Sequence, residues 1–142
     1  MIEEKKSVVF SVSMGVGCYR HICVSASRTL EDFADIILSA FGFINDHAHM
    51  FCMDNHAWSF DDCYWVDWVD LEEEHRHTCD YSLSQLGFKK GDQFKMIFDF
   101  GDDWRFQCKV LRLLKEDVED VDGARVLKEV GRAPKQYNFD WD

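Results

Sequence analysis

The sequence predicts a single α+β domain: a β-grasp-like mixed sheet covered on one face by one main helix, with an acidic, aromatic insert. Three features carry this expectation. Period-two alternation early and late in the chain marks strands, and one segment of period 3.6 directly after an opening hairpin marks a helix. The composition, 46% hydrophobic and 15% aromatic with one proline, is that of a globular chain and not of a disordered or fibrous one. A chain of 142 residues buries roughly 68–70% of its unfolded surface. One core, placed at 7–115 with an acidic segment and tail at 116–142, therefore needs no disulfide or metal.

The elements follow in order. "SVVFSVSM" at 7–14 alternates as a strand, "GVG" at 15–17 turns, and "CYRHICVSAS" at 18–27 returns as a second strand. "TLEDFADIILSAFGF" is a helix. Thr29 caps it with Asp32 as capping-box partner, and Leu30, Phe33, Ala34, Ile37, Leu38 and Phe41 form its buried face. Gly42 supplies the left-handed C-terminal residue. "HAHMFCM" at 47–53 is a third strand, and residues 54–80 form the insert, with a short strand at "CYWVDW". A helical turn at 82–88 leads to a strand at 93–100 with Phe94, Met96, Phe98 and Phe100 on one face. The next strand, 104–114, sets Trp104, Phe106, Cys108 and Val110 on one face and Leu111 and Leu113 on the other. A short helical piece is expected at 124–130.

Charge and cysteine usage narrow the classes. A net charge of −11 repels phosphate backbones and anionic membranes, and basic residues are scattered at 5–6, 89–90, 105, 109 and 112. Nucleic acid is therefore not an expected partner. No apolar run approaches the ~20 residues of a spanning helix, and "MIEEKKSVVF" does not read as a secretory signal, so a cytoplasmic location is expected. The six cysteines are then reduced thiols, most of them in strand-like segments where Cys acts as a small hydrophobe.

Four motifs carry possible chemistry. In "DFGDDW", Asp99, Asp102 and Asp103 offer oxygens to a hard cation. The same letters suit a hairpin corner, with Gly101 at positive φ and Asp side chains bonding the turn's own amides. In "HAHMFC", His47 and His49 share a strand face, as in His-x-His metal pairs. In "HRHTC", His75, His77 and Cys79 share parity in an extended segment, and two such clusters could complete a tetrahedral zinc site. No cofactor is required by the fold, and zinc or another divalent cation is the one these ligands would take. Trp58, Trp65 and Trp68 among the acids of 54–74 either finish the core or form a partner-docking surface.

"YRHICV", "TLEDFADIILSAFGFINDHAHMF" and "FDFGDDWRFQCKV" resemble the plasmid Ri open-reading-frame-three-like family, whose blocks recur here in order over most of residues 8–115. Arg20, His47, His49, Phe51, Asp99, Gly101, Asp102 and Trp104 match its pattern, while Tyr19, Phe43 and Phe106 depart from it. The resemblance implies an α+β fold with a β-grasp-like core, no established activity, and a mobile-element association. It also suggests one patch of Arg20, Asp99, Asp102 and Trp104, in which Arg20 pairs with Asp99 or Asp102 to orient the hairpin. The expected function is a non-catalytic protein-binding or adaptor module, using the aromatic, acidic surface or an exposed sheet edge. The alternatives are a metal-dependent hydrolase built on His47, His49, Asp99 and Asp102, and a DNA-associated mobile-element accessory protein.

Overall fold

The computed structural model describes residues 4–69 and 75–137. Seven strands, β1 (Ser7–Ser13), β2 (Tyr19–Ser25), β3 (His49–Cys52), β4 (Cys63–Trp65), β5 (Gln93–Phe98), β6 (Trp104–Leu114) and β7 (Ala124–Val130), form one sheet in the order β4-β3-β5-β6-β1-β2-β7. All six ladders are antiparallel, so the mixed sheet expected above is corrected. The one helix, α1 (Leu30–Ala40), lies across the front of this sheet. Its start is built as the sequence predicts. The Thr29 side chain accepts from the Asp32 amide at 3.1 Å, and Asp32 accepts from the Thr29 amide at 3.1 Å. Leu30, Phe33, Ala34, Ile37 and Leu38 are buried against Phe10, Phe51, Phe94 and Phe106 of the strands.

A second, smaller core lies on the back of the sheet. Met50, Cys52, Cys63, Trp65 and Ile97 are covered there by Ala57, Trp58, Val69 and Phe100. Residues 57, 58 and 69 thus fold over the back of β4-β3-β5. Residues 70–74 of its acidic run, and 138–142 of the tail, lie outside the described residues.

Three further expectations change, each for a local reason. Residues 124–130 are a strand: Ala, Arg, Leu, Lys and Glu favour a helix, but pairing with β2 overrides that weak preference. Leu113 faces the front core because a bulge opposite Val9/Phe10 absorbs Leu111 and shifts parity. Phe100 faces the back because β5 ends at Phe98 and Asp99 turns the chain at φ 59.

Candidate functional site

The acidic corner between β5 and β6 is a turn held by its own polar groups. The Asp103 amide donates to the Asp99 carbonyl at 2.6 Å, and the Asp102 amide to the Asp99 side chain at 3.3 Å. Asp99 and Asp103, at φ 59 and 56, take the left-handed positions; Gly101 does not. Short polar side chains tolerate that region because they bond locally. The Asp103 carboxylate accepts from Trp58 Nε1 at 2.9 Å and pairs with Arg105 at 2.9 Å, and Arg105 holds its carboxyl below the usual range. The corner therefore anchors the insert.

Arg20 is not part of that corner, which corrects the expected pairing with Asp99 or Asp102. Its strand parity places it on the front face, beneath the C-terminus of α1. Nε donates to the Ala40 carbonyl at 3.2 Å, and Nη1 to Tyr19, Val130 and Gly131 carbonyls at 3.0, 2.9 and 3.2 Å. The guanidinium also lies 4.7 Å from the Phe41 ring centroid and 3.6 Å from Glu129. Trp104 remains near the corner and packs edge-on against Phe43.

The two histidine motifs separate. His47, just before β3, meets Tyr137 Oη at 2.8 Å and Asp99 Oδ2 at 3.4 Å. His49 is buried and bonds Thr78 Oγ1 at 2.8 Å; desolvation lowers its pKa to about 4, opposed by Asp67. "HRHTC" is not extended throughout, because 78–80 is a 3-10 turn. His75 packs against Trp65, and His77 lies 3.8 Å from Asp80. Among the described residues, the metal-capable group is Glu31, Asp67 and Cys79, with ligand atoms within 4.8 Å of one another. Neither the expected zinc set nor the His47, His49, Asp99 and Asp102 set forms such a group. Burial and Asp67 raise the Glu31 carboxyl, and burial followed by Asp80 and Asp67 raises the Cys79 thiol. Glu31 and Asp67 were not foreseen, because they come from segments with no ligand-like spacing.

The tryptophans divide as well. Trp65 takes the core alternative and lies outside any partner surface; Trp58 is half-buried on the corner, and Trp68 is 63% exposed.

Two surfaces emerge that linear reading could not assemble. The first is a groove of about 590 Å³ between α1 and β7. Ile22, Ile36, Ala40, Ala124 and Val126 supply the apolar part of a mostly polar lining, whose charged groups are Asp32, Asp35, Asp122 and Glu129 against Arg28 and Arg125. The β7 edge bordering it is open among the described residues, whereas the β4 edge is closed by a bridge from Trp65 to His77. The Ser25 amide donates to the Gly123 carbonyl at 2.7 Å, which fixes the alternation of the β2–β7 ladder. Ala124 and Val126 then sit in non-hydrogen-bonded pairs, with their N–H and C=O groups directed away from β2 to the open side. The second surface is the back of β6-β1-β2-β7. There Lys109, Ser11, His21 and Lys128 form one cross-strand row, and Arg112, Val9, Cys23 and Arg125 the next. His21 is lowered by burial and by Lys128 and Arg112. Cations scattered in the sequence thus share one face of an acidic chain.

A family model described as plasmid pRiA4b ORF-3-like protein matches residues 13–136, and the chain belongs to that family. No curated protein matches the sequence. Among solved structures, the crystal structure of a protein of unknown function, MM3350 from Methanosarcina mazei Go1, aligns with a TM-score of 0.70. The alignment covers 88% of this chain and 70% of that one at 21% identity, and it shows a shared fold.

Proposed function

We propose that this member of the plasmid pRiA4b ORF-3-like family is a non-catalytic protein-binding module that receives an extended, basic peptide segment as an added strand along β7. The observation that carries this reading is the coincidence, at Ala124 and Val126, of groove-lining side chains with backbone groups directed to an open sheet edge. In strand addition the main chain supplies affinity and pockets for alternate side chains supply specificity. The apolar floor at Ile36, Ala40, Ala124 and Val126 suits small side chains at every second residue of such a guest. The rim, with four carboxylates against two guanidiniums, favours Lys and Arg on a guest and disfavours acids.

The test is selection of linear peptides from a displayed random library on the intact chain, followed by binding measurements on the selected sequences. Val126→Pro is the decisive variant. Its N–H makes no bond to β2, so proline removes a docking donor at an edge position that tolerates it. Enrichment of basic, alternating sequences, slowed exchange of the Ala124 and Val126 amides, and at least tenfold weaker binding to a folded Val126→Pro chain are expected. Selected peptides that bind the variant equally well would refute the reading, as would a selection that yields no binder.

A further inference from the structure

We propose that Cys52 and Cys63 form a reversible dithiol–disulfide site, oxidised by a small disulfide such as glutathione disulfide. The two residues are direct partners across β3 and β4. Two bonds bracket them: the Met53 amide to the Asp62 carbonyl at 2.8 Å and the Val66 amide to the His49 carbonyl at 3.1 Å. Both join directly opposed residues, so 53/62 and 49/66 are hydrogen-bonded pairs. By the alternation of an antiparallel ladder, 52/63 is a non-hydrogen-bonded pair. That pairing brings the α-carbons to about 4.5 Å, the lower limit of the range a disulfide spans. Both side chains point to the back core, toward Met50, Trp65 and Ile97.

Exposure ranks the two thiols, because the backbone of Trp58 and Ser59 favours the Cys52 thiolate as Trp65 and Arg76 favour that of Cys63. Cys52 is fully buried, while Cys63 lies on the outer strand and keeps 9% exposure. Trp65 Nε1 is buried without a hydrogen-bond partner, and it stands beside the Cys63 sulfur, where it favours the thiolate. Arg76, whose Nη2 donates to the Cys63 carbonyl at 3.0 Å, favours the same form. Burial outweighs both and keeps the resting group a thiol, so exchange is slow. Cys63 loses its proton and attacks one sulfur of glutathione disulfide, which releases one glutathione and leaves a mixed disulfide. Cys52 then loses its proton and attacks the Cys63 sulfur, which releases the second glutathione. Two electrons pass from the protein thiols to the glutathione pair.

The experiment incubates the reduced, full-length Cys79→Ser chain with glutathione disulfide, because Cys79 is the least buried cysteine. Alkylation and peptide mass mapping then locate every thiol, with a melting curve confirming that the chain stays folded. A Cys52–Cys63 linked peptide that dithiothreitol abolishes is expected. Adding Cys52→Ser should arrest the reaction as a glutathione adduct on Cys63, and adding Cys63→Ser should leave Cys52 unmodified. A folded chain that keeps both thiols, accumulates the adduct without the link, or links other cysteines overturns the assignment.

Discussion

Replacing Arg20 by methionine removes one guanidinium and keeps an apolar stem against Phe41, so it tests whether Arg20 ties the fold together at a single point. The side chain is 7% exposed and spends its donors on carbonyls from three places: β2 itself, the last turn of α1, and the end of β7. Each hydrogen bond from a charged donor is worth about 1.5–3 kcal/mol. Three of the four share Nη1, so they do not add, and Ala40, Val130 and Gly131 lose the partner that pairs them. At about 1–3 kcal/mol for a buried acceptor left without a donor, the carbonyls at the end of α1 and at the end of β7 together give an expected loss of about 2–5 kcal/mol. With 142 residues and about 2.1 cal/mol/K of unfolding entropy per residue, the melting temperature should fall by at least about 7 °C. Glu129→Gln is the control. Its carboxylate is 63% exposed, so its loss should cost less than about 1 kcal/mol. Thermal unfolding by circular dichroism reads both. An Arg20→Met chain melting within about 2 °C of the wild type, or a Glu129→Gln chain falling as far, would refute the account.

Two further outcomes follow from the same geometry. His49 is neutral in the folded chain down to about pH 4, whereas an unfolded chain protonates it near 6.5. Its contribution is full above 6.5 and falls between 6.5 and 4 as the unfolded state alone takes up the proton, by about 3 kcal/mol at 1.36 kcal/mol per unit. Urea midpoints of wild type and His49→Gln should therefore converge on acidification, and a pH-independent gap would contradict the buried neutral imidazole. Thr29→Ala should cost about 1 kcal/mol by freeing the Asp32 amide, measured by the same midpoints.

How far the sequence could be read depended on the range of the interactions that decide each element. The capping box at Thr29 and Asp32, the buried stripe of α1 and the alternation of β5 and the start of β6 are local, and all are legible as written. Residues 124–130 are not, because their helical preference is decided by a partner strand about 100 positions earlier in the chain. Two bulges compound the difficulty. Each adds one residue to a strand, and one residue flips every side chain beyond it. Leu113 on the core side and Glu129 beside Arg20 are both consequences that no period-two count along the chain can supply.

The candidate site is legible only in pieces for the same reason. Motif spacing identifies residues adjacent along a strand, but a surface of a sheet is assembled across strands. His47 and His49 are two positions apart, yet one bonds Tyr137 and the other Thr78. Conversely, Lys109, His21 and Lys128 are far apart in sequence and occupy one row, because β1 carries Ser11 between them. The acidic total conceals an uneven distribution: carboxylates outnumber guanidiniums around the α1–β7 groove on the front, while Lys109, Arg112 and Lys128 share the back. Net charge therefore constrains the chain as a whole and leaves the charge of each face to the register.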